Sequence, residues 1–275
     1  MRVSEQFLER LSLALRLTPR DKLTLYRLAL AGLYGAEHVV RGGRDPAPGA
    51  EVSTSAAASI VNVEDIDSAA TAFAQDRERF LTCGSVTSPL TRTRILRSWG
   101  RSSALGVDSE RHCVQYAARR DVEIAERREV CERVLRAGRD VLRYLSDRFC
   151  GTGYAVALTD ASGCLLHLDA ELQVRRRLAK FSFEPGGDWS ESAAGTNAIG
   201  TAIADGRPIQ LMGAEHFCAG WRYFTCTAAP IRDPDTGDCV AVLDVTGDYR
   251  LVRRYLVGAM LESALEIEEG LRELT

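Results

Sequence analysis

The sequence predicts an α+β domain, an antiparallel sheet with packed helices, preceded by an α-helical N-terminal region. Three observations predict this. From Gly151 onward, short apolar runs are separated by turn signals, and two of these form strand–turn–strand arrangements. Helical stretches are interspersed among those runs, and hairpins mixed with helices argue for helices packed on an antiparallel sheet. Before Gly151 the apolar residues recur at helical spacing instead.

Residues 1–40 read as two helices of unassigned role. Ser4 caps the first, and Thr18-Pro19 places a capping hydroxyl and an N1 proline at the start of the second. Residues 41–63 are rich in Gly, Pro, Ala and Ser and read as a flexible linker. Residues 64–121 are helical in pieces. A single long helix is expected over 122–149, where Cys131, Val134, Gly138, Val141 and Leu145 recur at 3,4 spacing. Residues 122–275 then form the second unit. Its expected strands are 154–159, 164–168, 208–212, 223–231 and 239–246, and its expected internal helices are 170–180 and 195–206, the latter ended by Gly206. Asp160-Ala-Ser-Gly163 and Asp233-Pro-Asp-Thr-Gly237 supply the turns. A final helix spans about 248–273. In it Val257, Met260, Ala264, Ile267 and Leu271 keep heptad-like spacing, which offers a homodimer seam.

Composition narrows the function. The chain has 275 residues, 45% apolar and 27% charged, which suits a folded protein of one or two domains. No apolar run is long enough for a spanning helix, and the N-terminus lacks the apolar core of a secretion signal, so a cytoplasmic protein without a membrane partner is expected. The eight cysteines are irregularly spaced and read as free thiols. The only lysines are Lys22 and Lys180, and neither sits in a Gly-Lys-Ser/Thr context, which excludes a phosphate-binding Walker loop. Net charge is −3 overall, but residues 84–150 carry 14 basic and 9 acidic side chains and residues 151–275 carry 11 and 18. Any polyanion contact is therefore expected in the first half. Direct DNA binding is left open, since the same stretch shows no helix-turn-helix spacing.

Two separated blocks carry a resemblance. The first is ILRSWGRSSALGVD, with Ser98, Trp99, Arg101 and Ser102. The second runs from Asp188 to Gly247 and includes Trp189-Ser-Glu191, Gly195-Thr-Asn-Ala-Ile-Gly-Thr201, Glu215-His-Phe217 and Asp233-Pro-Asp-Thr-Gly237. Together they resemble the sensory region of the acetoin- and glycerol-metabolism type of sigma-54-dependent transcriptional activators. That region is a GAF domain preceded by a helical segment bearing the Ser-Trp-x-Arg-Ser motif. The resemblance covers about residues 80–247. It implies a sensory regulator rather than an enzyme, with an input domain, flanking signalling helices and an unidentified small-molecule effector. Without a Walker lysine, the sequence is expected to hold the input half and not the ATPase or DNA-binding half.

A pocket of that kind combines apolar walls with a few placed polar groups. The candidate ligand-binding residues are Trp189, Glu191, Asn197, His216, Phe217, Trp221, Tyr223 and Cys226. Each has a structural alternative: Trp189 as a core seal, Asn197 as a helix cap, Glu215 as an ion-pair partner. His216 and Cys218 with Cys226 lack the paired spacing of a zinc site, so no metal and no cofactor is expected. A redox or methionine sulfoxide reductase role for Cys218 and Cys226 requires an accessible low-pKa thiolate. Asp244 lies inside an apolar strand and needs a partner such as Thr246. The expected partners are a second copy of the chain or a component of the transcription machinery. A ligand-free protein-interaction module is the alternative.

Overall fold

In the computed structural model, the described residues are 60–274 apart from 62, 115 and 117–119. The helical pair expected over 1–40 and most of the expected linker lie outside them. The end of that linker is packed, not free: Ile60 and Val61 are buried, and the Val61 amide donates to Gln210 Oε1 at 3.2 Å.

Two helices come first, α1 (Ile66–Cys83) and α2 (Thr93–Ala104). Asp65 starts α1 by accepting from the Asp67 and Ser68 amides, and Gly84, at φ 70°, ends it. The helix expected over 122–149 is divided into α3 (Arg120–Val130), α4 (Glu132–Ala137) and α5 (Arg139–Phe149). Backbone bonds continue through the divisions: Cys131 N donates to Arg127 O at 2.9 Å and Leu135 N to Cys131 O at 3.0 Å, while Gly138 N donates to Val134 O and Leu142 N to Gly138 O, both at 2.8 Å. Gly138 marks a close helix crossing, where a Cβ would lie 3.3 Å from the Ile267 side chain.

The sheet follows. β1 (Ala155–Asp160) and β2 (Leu165–Ala170) form the first hairpin. After α6 (Leu172–Ala179), the short α7 (Glu191–Ala194) and α8 (Ala198–Asp205) come β3 (Ile209–Met212), β4 (Phe224–Arg232) and β5 (Cys239–Asp248). The five strands run antiparallel in the order β2-β1-β5-β4-β3. The α+β architecture read from the sequence is the one observed.

Strand alternation divides the core in two. Leu243, Val245, Ala229 and Ile231 face one side and pack with α5 and the last helix, α9 (Tyr255–Glu273). Val242, Ala228 and Cys226 belong to the other side, under α2 and α6–α8. The heptad-like stripe of α9 lies inside the first layer. Val257, Met260, Ala264, Ile267 and Leu271 are all buried, the last four at 1% exposure or less. This corrects the expectation of a dimer seam. The apolar periodicity is that of a helix lying on its own sheet, and these side chains have no surface to offer a second copy.

The helical segment before the sheet is not a separate body. Ile95 and Trp99 belong to the same core as Ala157, Ile209 and Trp221. Four of its arginines are engaged within the fold: Arg92 with Glu215, Arg94 with Asp205, Arg101 with Glu191 and Arg127 with Asp160. No helix among the described residues is long and apolar enough to cross a membrane.

Candidate functional site

The second face of the sheet carries a closed layer built from the two motif blocks. Ser98 Oγ lies 2.5 Å from Glu191 Oε1, 2.7 Å from Thr196 Oγ1 and 3.0 Å from Thr201 Oγ1. Arg101 grips the same carboxylate in two-pronged fashion, at 2.6 and 2.8 Å. Trp99 donates its indole N–H to the Glu215 carbonyl at 2.8 Å and packs on Phe80. The Ser-Trp-x-Arg-Ser motif is thus a clamp that holds α2 against α7 and α8. Glu191, a candidate ligand residue, is the clamp's acceptor and has no free role in a pocket.

Glu215 is fully buried. Desolvation raises its pKa, and the Arg92 guanidinium opposes this with bonds of 2.7 and 2.8 Å. Arg92 also donates to the Gln210 carbonyl at 2.6 Å, so one ion pair ties α2 to β3 and to the turn after it.

Asn197 caps α8: its Oδ1 accepts from the Gly200 amide at 3.0 Å, and its Nδ2 donates to the Trp189 and Gly195 carbonyls. The structural role weighed for it is the one seen, although its side chain also reaches the cavity wall. Gly195, at φ 64°, lets the chain double back under Phe217, which would stand 3.0 Å from a Cβ there. Phe217 is core, and Tyr223 is 53% exposed on the outer rim. Neither lines the cavity.

The cavity lies between β4, β5 and the cover formed by α6, the loop that follows it, and α8. Of the eight candidates, it brings together Trp189, Asn197, His216, Trp221 and Cys226. Sequence reasoning missed most of the cover, including Leu178, Phe181 and Phe183. It also read Asp244 as a strand carboxylate partnered by Thr246 and not as a cavity residue. Asp244 faces the cavity because residues 242, 244 and 246 share one side of β5. The available signal was a carboxylate at an inward position of an otherwise apolar strand.

The site's electrostatics follow from burial. Asp244 Oδ2 accepts from Thr246 Oγ1 at 2.6 Å, and desolvation pushes the carboxyl up to about 7. His216 Nδ1 lies 2.9 Å from the Gly213 carbonyl, and burial lowers the imidazole to about 4, so the ring is neutral. Trp189 Nε1, His216 Nε2 and Asp244 Oδ1 are the three buried side-chain polar atoms without a hydrogen-bond partner among the described residues. All three residues line this one cavity. Its volume is about 10 Å³, room for the centre of roughly one water molecule.

The cysteine chemistry weighed from the sequence does not fit. Cys218 is fully buried, donates to the Ala194 carbonyl at 3.1 Å and is pushed up to about 12 by desolvation. Burial and the neighbouring Asp244 hold the Cys226 thiol well above its ordinary value. Thiolate attack needs the opposite shift and an accessible sulfur. Among the described residues, no three His, Cys, Asp or Glu side chains are grouped to hold a metal ion.

A family model described as the MimR N-terminal domain matches residues 69–268. The chain belongs to the MimR N-terminal domain family. It is 30% identical over 199 residues to the propane 2-monooxygenase operon transcriptional activator MimR of Mycolicibacterium smegmatis, covering 72% of this chain and 33% of that protein. It is 37% identical over 123 residues to the acetoin catabolism regulatory protein of Cupriavidus necator, covering 45% of this chain and 18% of the relative. It is 35% identical over 121 residues to a protein of Rhodococcus erythropolis described as an uncharacterized 47.3 kDa protein in the thcA 5′ region, covering 44% and 28%. The chain thus spans about a third or less of the length of these relatives. The crystal structure of the Escherichia coli DhaR(N)–DhaL complex contains a chain of the same fold, with a TM-score of 0.61 at 20% identity, covering 66% of this chain and 60% of that one. The MimR-type domain is therefore related to transcriptional activators, and its sheet-and-helix fold is shared with the DhaR N-terminal region.

Proposed function

We propose that this chain is the effector-sensing region of a bacterial transcriptional activator. In this reading it is a GAF-type domain that takes a small oxygenated molecule into the cavity above β4 and β5. The observation that carries the reading is that the three residues with an unpartnered buried side-chain polar atom among the described residues, Trp189, His216 and Asp244, all line one aromatic-walled cavity. An uncompensated buried polar group costs about 1–3 kcal/mol. Three such atoms in a merely structural void would be costly, whereas a ligand that supplies their bonds explains them.

Binding there reaches the helices directly. His216 follows Glu215, whose carboxylate and carbonyl hold Arg92 and Trp99 of the α2 region. Asn197 caps α8, whose Thr201 shares the Glu191 clamp. The ligand shifts the placement of α2 and the flanking helices by its differential affinity for two arrangements. The recipient is a second copy or a component of the cytoplasmic transcription machinery. As in its relatives, the role is regulatory rather than catalytic.

A thermal-shift screen of alcohols, diols, ketones, aldehydes and organic acids of two to four carbons tests this, since a specific ligand raises Tm by mass action. At least one saturable stabiliser is expected. Ala198→Val, which narrows the cavity at the start of α8, should abolish its effect while the domain still melts cooperatively. If no compound raises Tm, or if A198V leaves the shift intact, the reading fails. The second reading, a ligand-free protein-binding module, draws on the DhaR neighbour having been solved with DhaL and would then be preferred.

A further inference from the structure

Helix α6 has two unlike faces. Val174 and Leu178 turn inward onto the core. Leu172, Arg176 and Lys180 follow one another at four-residue spacing on the opposite, outer face. Arg175 and Arg177 occupy the flanks. Desolvation lowers the His167 imidazole on β2, Asp169 opposes this, and Arg128 and Arg175 add to it, so both guanidinium groups stand near that ring. Arg177 turns the other way, pairing with Asp248 at 2.8 Å and standing over the Phe224 ring.

The helix itself carries no acidic residue. Arg175, Arg176 and Lys180 are exposed, and among the described residues their side chains make no hydrogen bond or ion pair. The carboxylates at the two ends are engaged: Glu171 accepts from the Gly151 amide, and Asp248 holds Arg177. Arg92, Arg94, Arg101 and Arg127 are by contrast closed in ion pairs within the fold. Two apolar groups border the free cations. Leu172 is 63% exposed at the start of α6. Tyr223 is 53% exposed, and its ring lies 6.4 Å from that of Phe181, the residue after Lys180.

Three unpaired cations between two exposed apolar groups set the chemistry of what fits. Carboxylates meet guanidinium forks in two-pronged fashion, and Arg and Tyr are enriched where proteins dock. The four-residue row on α6 suits a helix lying alongside it. A nucleic acid backbone offers nothing to Leu172, and a helix of 8 residues supplies fewer cations than the roughly 6–10 phosphate contacts of a duplex-binding surface. A membrane takes up the apolar face of a helix, and α6 has committed that face to the core. A symmetric contact of α6 with its own copy would set like charges together.

We propose that the outer face of α6 docks a short acidic helix of a partner protein. Its carboxylates meet Arg175, Arg176 and Lys180, and its apolar side chains meet Leu172 and Tyr223. A partner seated there lies on the cover of the cavity, since Leu178 on the inner face of α6 lines it.

A fluorescein-labelled synthetic helix of glutamate and leucine serves as the probe, its binding to the full chain followed by anisotropy. Saturable binding is expected. Arg175→Glu combined with Arg176→Glu and Lys180→Glu removes three exposed ion pairs and should weaken binding about tenfold or more. The same variant should keep the wild-type Tm, because these side chains hold nothing in the fold. It should also gain binding to the matching helix with lysine in place of glutamate, which a loss of structure would not produce. Leu172→Ala should weaken the acidic helix severalfold and leave its salt dependence unchanged. No saturable binding, or equal binding by the charge-reversed chain, overturns the proposal. A DNA duplex or phosphatidylserine vesicles bound more tightly than the acidic helix, and lost on charge reversal, assign the cations to phosphate and overturn it as well. So does a mass that rises with concentration in light scattering and is abolished by the reversal, which puts a second copy on this face.

Discussion

Asp244→Asn gives the sharpest physical prediction. In the unfolded chain this aspartate releases its proton near 3.8, and in the folded protein burial moves release to about 7. Between these values the folded state holds one proton more, so wild-type stability falls as pH rises through the interval. The slope is about 1.4 kcal/mol per pH unit, and the whole interval amounts to about 4 kcal/mol. The amide does not titrate. D244N should therefore gain on wild type by about 3 kcal/mol between pH 4 and pH 7, with the difference flat above about pH 8. The other titratable groups on the cavity wall are His216 and Cys226. His216 acts in the opposite sense: its folded value of about 4 lies below its unfolded 6.5, so its contribution rises with pH across that range. Cys226 is held well above neutral pH. Both groups are common to the two proteins, and the difference curve isolates Asp244. Urea denaturation of both proteins at half-unit pH steps is the assay. A difference that stays constant from pH 4 to pH 7 would mean an aspartate ionised normally in the folded state, and would refute the reasoning.

Other outcomes follow from the same geometry. Arg92→Met leaves the fully buried Glu215 without its counter-charge, and loss of one partner of such a pair costs about 3–5 kcal/mol, read as a lower urea midpoint. Ser98→Ala removes the hydroxyl at the centre of the Glu191–Thr196–Thr201 cluster and should cost about 1–3 kcal/mol, whereas a change within 0.5 kcal/mol would deny the clamp. Ile267→Ala should lower stability by about 2–5 kcal/mol with no change in oligomeric mass by light scattering, because the side chain is in the core. Native alkylation mapped by mass spectrometry should modify exposed Cys83, whose thiol is lowered by hydrogen bonding to Ser85, well before Cys218 or Cys226; labelling of Cys218 at a comparable rate would contradict its burial.

The order of elements was legible because each rests on local chemistry. Asn197 and Gly206 bracket α8, and strand alternation with Asp…Gly turns gave the hairpins within a residue or two, whereas α1 and α2 were legible only as helical pieces. Periodicity misled in two places. It cannot show that Gly138 marks a helix crossing, and it cannot tell a heptad seam from a helix laid on a sheet, since both bury positions three and four apart. The site was half legible. Aromatic and polar residues near Asn197 and His216 were found from the motif blocks, but the cover residues Leu178, Phe181 and Phe183 look like any apolar residues after a helix.

Sequence by itself determined the fold class, the absence of a Walker lysine and the motif blocks that place the chain among activator sensory regions. Tertiary structure decided what those motifs do. Glu191 turned from a ligand candidate into the acceptor of a clamp, because Ser98 and Arg101, ninety residues away in sequence, meet it across the core. Asp244 turned from a strand residue into part of a cavity wall, where burial raises its pKa and its Oδ1 is left unpaired. Hydrogen-bond satisfaction and desolvation belong to three-dimensional neighbourhoods, and no local pattern encodes which groups will share one.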